Sequence, residues 1–170
     1  MAYAVVRTDK LTGTDDRARL VSVRYQPVDS ESNENVAAEI ENGCFVLLGD
    51  LEDGSREIYI GTDPEADSAL SEVVLVASPE VMYDERLKSL DQFINVAGKA
   101  ARGYRLHTND IFSVTADALD GTPAKGKVVE LQDGTKAKVV TSATSGSTVI
   151  GKIIDVNVVG RYTYYAIEVA

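Results

Sequence analysis

The sequence predicts a mainly β protein, a small antiparallel β-barrel or sandwich with an extended N-terminal arm. Short β-branched runs recur between Gly, Asp and Asn turn formers, and the turns at Asp53-Gly54 and Asp133-Gly134 carry the pair that tight hairpins select. No stretch sustains a helical apolar period beyond about two turns. With 170 residues, 44% apolar and 26% charged, the chain is long enough to bury a core without disulfides, and wholesale disorder is excluded.

The arm is read over residues 1–43. Leu11-Thr-Gly-Thr-Asp-Asp16 is turn-rich, Leu20-Val-Ser-Val-Arg-Tyr25 alternates as a strand, and Pro27 to Asn35 is a polar linker. Val36 to Glu41 favours one or two helical turns that Asn42-Gly43 would end. The arm is expected to add little to the core and to lay its strips Val5-Val6 and Leu20 to Tyr25 on a neighbour as an added strand.

Residues 44–170 are read as one β-rich domain, divisible into modules 44–102 and 103–170. Phe45–Leu48 reads as a strand, Asp53-Gly54 as a hairpin turn, Arg56–Ile60 as its partner and Val73–Ala77 as a further strand. The spacing of Leu87, Leu90 and Phe93 predicts a short helix or a long loop within Asp84–Ala101. From Gly103 to Val169 an antiparallel barrel or sandwich is expected. Lys127–Leu131 and Lys136–Val140 would flank a type I′ turn at Asp133-Gly134, and Val149–Val159 would pair with Tyr162–Val169 across Gly160-Arg161. In the last strand Tyr165, Ile167 and Val169 share the expected core face.

A weak internal repeat runs through these segments. Leu51-Glu-Asp-Gly-Ser55 and Leu131-Gln-Asp-Gly-Thr135 lie the same interval apart as Val73-Val-Leu-Val76 and Ile153-Ile-Asp-Val156. Shared hairpin chemistry accounts for that without common ancestry.

The net charge is −10, and the acid is concentrated: residues 28–93 carry seventeen Asp/Glu against three Lys/Arg. That field repels phosphate backbones, so no nucleic-acid partner is expected, even with Arg102 and Arg105 near Tyr104. No apolar run reaches spanning length, and no membrane partner is expected. Cys44 is the only cysteine, so no intrachain disulfide can form; its apolar setting marks a buried small hydrophobe.

The chain is not expected to be an enzyme, and no catalytic, metal-binding or cofactor residue is assigned. His107 is the only histidine; Asp110 could activate it, but no nucleophile motif accompanies the pair. The acids at Asp50, Glu52, Asp53, Asp63 and Asp67 lack EF-hand spacing. Gly121-Thr-Pro-Ala-Lys-Gly126 lacks the end of a phosphate-binding loop, and Thr144 to Thr148 runs into a strand where a phosphate cradle would open a helix. A hydrolase without His or Cys would need two carboxylates about 5–10 Å apart across a cleft.

From Val73 onward the chain resembles a family of small tailed-phage head decoration or accessory capsid proteins. The resembling stretches are Ser78-Pro-Glu-Val-Met-Tyr83, Phe93-Ile-Asn-Val-Ala-Gly-Lys-Ala-Ala-Arg-Gly-Tyr-Arg-Leu106, Asp110-Ile-Phe-Ser-Val114, Gly151-Lys-Ile-Ile154 and Gly160-Arg-Tyr162. Before the Asp-Ile-Phe run the family pattern has Gly where this chain has Asn109, which also tolerates left-handed backbone.

The resemblance implies a structural virion protein, made in the host cytoplasm, that binds the capsid exterior and bridges capsomers. Its partners would be the major capsid protein and other copies of itself. The residues expected at that interface are Arg7, Arg17, Arg19, Arg24, Tyr25, Arg102 and Tyr104. The alternative is a virion-surface adhesion module, binding host glycan or protein through exposed tyrosines such as Tyr162, Tyr164 and Tyr165.

Overall fold

A computed structural model describes residues 3–7, 19–81 and 89–170. Among these, eleven strands form two sheets, and helical structure is confined to single 3-10 turns, so no helix is long and apolar enough to cross a membrane. The first sheet uses β1 (Leu20–Tyr25), β2 (Phe45–Leu51), β3 (Ile58–Thr62), β4 (Val73–Val76) and β5 (Ala101–Arg105). Its ladder runs β1-β3-β2-β4-β5 and returns to β1, a closed barrel in which β1 and β3 are parallel and every other pair antiparallel. Closure removes the free edges that would otherwise recruit other chains.

The second sheet uses β6 (Ile111–Val114), β7 (Leu119–Asp120), β8 (Val128–Glu130), β9 (Ala137–Val140), β10 (Val149–Val159) and β11 (Tyr162–Val169), in the order β6-β11-β10-β8-β9-β7. Only a 3-10 turn at Ala116–Ala118 separates β6 from β7. Taken together, β6 and β7 do what β1 does in the barrel: β6 runs antiparallel to β11, and β7 runs parallel to β9. The second ladder therefore repeats the topology of the first.

The register repeats as well. Leu20↔Tyr104 and Ser22↔Arg102 in the barrel correspond to Ile111↔Glu168 and Ser113↔Ala166 in the sheet. Just outside them, the Arg105 N–H donates to the Arg19 carbonyl at 2.8 Å, as the Val169 N–H donates to the Asp110 carbonyl at 2.9 Å. The paired segments are Leu20-Val-Ser-Val23 and Ile111-Phe-Ser-Val114, an aliphatic, a second apolar residue, a serine and a valine each time.

Inside the barrel Val23, Val46, Val74, Val76 and Ala101 pack with Ile40 and Cys44. The bore is narrow, and a Cβ built on Gly61 would overlap the methyl groups of Val46 and Val23, so only glycine fits there. The opposite faces of β2 and β4 carry Phe45, Val73 and Leu75 into a larger core shared with Phe112, Val114, Ile150, Ile153 and Ile167 of the second sheet. Phe45 meets Phe112 edge-to-face with centroids 6.1 Å apart. Strand β4 is thus buried on both faces, which explains its unbroken apolar run.

Several expectations are corrected. The pairing is not purely antiparallel, since each ladder holds one parallel pair. Within the segment expected as an arm, β1 closes the barrel with Val23 fully buried and Ala4, Val5 and Val6 are buried, whereas residues 30–37 stand exposed. Val6 bridges Val114, and the Arg7 N–H donates to the Ser113 carbonyl at 2.8 Å. The Val5-Val6 strip forms no strand of its own; a single antiparallel bridge lays it on β6 of its own chain, where the edge offers unpaired backbone groups. Of the rest of that segment, residues 8–18, including Arg17, lie outside the described residues.

Val36 to Glu41 forms no helical turn; Ile40 bridges Asn95 in the antiparallel sense instead. The buried amide of Asn42 holds both the Ser78 backbone and the Asn95 side chain, so tertiary bonds override local propensity. In 84–101 the described part contains one 3-10 turn, Leu90–Gln92; Leu87 lies outside the described residues. Asp133-Gly134 is not a two-residue turn: six residues separate β8 from β9, and this pair reaches across to the barrel. The Gly134 N–H donates to the Pro64 carbonyl at 3.1 Å, and the Asp133 carboxylate accepts from the Ala66 N–H at 3.1 Å. The Gly160-Arg161 hairpin forms as expected between Val159 and Tyr162, with Gly160 at φ +61° and Arg161 not left-handed, the pattern of a type II′ turn. Asn109 takes φ +70°.

Candidate interaction surface

The residues expected at an interface do not form one patch. Arg19 stands just before β1 and makes two hydrogen bonds to Asp110, at 2.8 and 3.1 Å. Arg24 is ion-paired with Glu52. Tyr25 packs its ring into the barrel core and donates its hydroxyl to Asp63 at 2.5 Å; burial, and then that carboxylate, push its ionisation well upward. Tyr104 is half-buried against the shared core. Arg7 lies in the other half of the molecule, with its guanidinium 5.3 Å from the centroid of the Tyr164 ring.

Arg102 differs from these, because it enters no ion pair among the described residues and its side chain is exposed. Its backbone is fixed by the register Ser22↔Arg102 and by an N–H bond to the Ser78 hydroxyl at 2.9 Å. Alternation along β1 and β5 puts Val21, Val23, Ala101 and Gly103 into the barrel and turns Leu20, Ser22 and Arg102 outward. A groove of about 430 Å³ lies there, lined by Leu20, Val21, Ser22, Glu57, Tyr59, Arg102 and Arg105. Arg105 is held over Tyr59 at 6.0 Å and donates to the Ser71 carbonyl at 3.1 Å. The groove thus offers two guanidiniums, a serine hydroxyl and a tyrosine against one carboxylate, Glu57. Leu20, Ser22, Tyr59 and Arg105 were not singled out for this role by the sequence reading; outward-facing Arg102 was the available signal.

A second groove of about 430 Å³ runs along β6 and the β10–β11 hairpin, lined by Arg7, Ile111, Ser113, Asn157, Val158, Val159 and Tyr164. Tyr164 is only 2% exposed, and the ring of Tyr162 carries Arg161 at 4.9 Å. A cation therefore covers one face of each ring, leaving less of the open stacking platform that an adhesion surface would use. Arg161 also bonds Asp91, which fastens the hairpin to the 3-10 turn at Leu90–Gln92.

Other polar features read as structural. The His107 backbone N–H, not its ring, is bonded to Asp110 at 2.9 Å, and that carboxylate is already taken by Arg19. Glu130 is fully buried, accepting from the Thr144 N–H at 2.9 Å and the Thr144 hydroxyl at 2.7 Å, with Lys138 at 3.8 Å, and so pins the loop before β10. Cys44 is buried, and that burial pushes its thiol up to about 11. Among the described residues no three His, Cys, Asp or Glu side chains come together as a metal site. No protein-family model, curated protein or solved structure matches the chain.

Proposed function

We propose that this chain is a structural virion protein that binds the outer surface of a phage capsid and stabilises the shell by bridging capsomers. It is made in the host cytoplasm, its main partner is the major capsid protein, and it performs no chemistry. The observation that carries this reading is the groove on the β1–β5 face. A chain of net charge −10 there brings Arg102 and Arg105 together beside Ser22 and Tyr59, with one acid among them. Such a patch complements an acidic protein surface while the rest of the molecule repels it, which fixes the docking orientation. The resemblance in Ser78 to Tyr83, Phe93 to Leu106 and Asp110 to Val114 supplies the shell as that surface.

The test is addition of purified protein to preassembled, undecorated shells. Wild type is expected to co-sediment with shells at saturating stoichiometry and to dissociate as salt rises. Arg102→Glu is expected to lose occupancy while its melting temperature is unchanged. Equal occupancy of wild type and Arg102→Glu would remove the groove from the interface, and no binding by wild type would remove the reading itself.

A further inference from the structure

Strand β10 is longer than its outer partner. Its ladder with β8 ends at Lys152, and Ile153 is held by backbone bonds to Gly126 and Lys127. Beyond that point only β11 pairs with it, so among the described residues the outer edge from Ile154 to Val159 carries no partner strand. The closing pair of a two-residue hairpin exchanges both backbone bonds, so Val159 and Asn157 bond inward to β11. The N–H and C=O groups of Val156 and Val158 therefore point outward.

Proteins usually guard such an edge with Lys, Pro, a bulge or a covering segment. Here Val156-Asn-Val-Val-Gly160 has no charge and no Pro, the bulge at Ile153/Asp155 lies before it, and Val158 is 73% exposed. The barrel closes its own edges, and β6 is covered by residues 5–7.

We infer that a second copy of this chain adds to this edge, its β10 antiparallel to the first about a two-fold axis through Asn157. The outward groups lie symmetrically about Asn157, so one register, Val156 opposite Val158 of the second copy, satisfies all of them in both chains. A one-residue slip leaves them unmatched. Charge favours the same occupant, because two copies of net charge −10 repel through their acidic regions and meet with least cost at this uncharged run. The same register brings Arg161 of the second copy level with Ile153, near Asp155, an opposite charge at each end of the paired segment. This contact is separate from the proposed shell-binding groove and does not depend on it.

The experiment is sedimentation equilibrium of the full chain over a range of concentrations, with two edge variants and one register probe. Wild type is expected to show a monomer–dimer equilibrium. Val158→Pro, which removes an outward N–H, and Val158→Lys, which keeps the donor but charges the edge, should each weaken it at least about tenfold. Asn157→Cys should give a covalent dimer on mild oxidation, because facing residues at a non-bonded antiparallel position have Cα atoms about 4.5 Å apart, within disulfide reach. Wild type that stays monomeric, or edge variants that dimerise like wild type, would overturn the inference. Edge variants that lose shell occupancy while wild type is monomeric in solution would assign the edge to the shell protein instead. Arg102→Glu is expected to dimerise normally, which separates this failure from that of the shell-binding reading.

Discussion

Arg19 and Asp110 occupy equivalent places in the two ladders, each one residue before the first strand, and they are bonded to each other. Equivalent residues touch only across a local pseudo-symmetry axis, so this pair joins the halves where their repeated topology makes them face. Asp110 does a second task, accepting the His107 N–H.

That pair should behave as a coupled unit. Asp110→Ala is expected to lower stability by about 1.5–3 kcal/mol, since it removes the bidentate carboxylate that a partly buried guanidinium bonds. Arg19→Glu and Asp110→Arg should each destabilise, while the double exchange recovers part of the loss. A thermodynamic cycle from denaturant melts that returns no coupling would show that the halves are joined elsewhere.

Gly61 sets the bore of the barrel. Gly61→Ala is expected to cost about 1–3 kcal/mol through overlap with Val46 and Val23, even though its backbone is ordinary for a strand. Adding Val46→Ala makes room, so the double variant should melt above the sum of the two single losses. Simple additivity would place the strain outside the barrel interior.

Cys44 and Tyr25 predict an alkaline limit to stability. Both are neutral when protonated, and burial raises both in the folded state, Cys44 from an ordinary 9.0 to about 11. The unfolded chain therefore releases its thiol proton first. Stability is full below pH 9 and falls as pH climbs from there toward 11, with a slope approaching about 1.4 kcal/mol per pH unit from the thiol alone. Urea melts of wild type and Cys44→Ala across that window should diverge in slope, the variant losing less per pH unit. Parallel curves would mean that the thiol ionises as readily folded as unfolded.

Strand positions were legible because alternation and turn formers act locally. Val149–Val159, Tyr162–Val169 and Leu20–Tyr25 form over the residues that their patterns indicate. The fate of β1 was not, because a strand with half-polar alternation reads the same whether it lies in an arm or closes a barrel. The repeat was half visible for a related reason. The Asp-Gly segments at Leu51 and Leu131 and the runs at Val73 and Ile153 share one interval, but Leu20 matches Ile111 and Tyr104 matches Glu168 at different ones, since the connecting loops differ in length. The groove depended on side chains from β1, β3 and β5 that only closure brings together, and Glu130 looked like any strand carboxylate until Thr144 covered it.

Closing the barrel through β1 and β5 also fixes when this protein can fold. The first strand can complete its pairing only after Arg105 has left the ribosome, and the segment at Val6 must wait for Val114. One edge of β1 can pair with β3 early, but its other edge and the described residues Val5 to Arg7 wait for chain made much later, so the nascent protein carries an open sheet for most of its synthesis. Chains dominated by such distant pairings typically fold in roughly milliseconds to seconds, which leaves a window in which chaperones, not native partners, cover the valine strips.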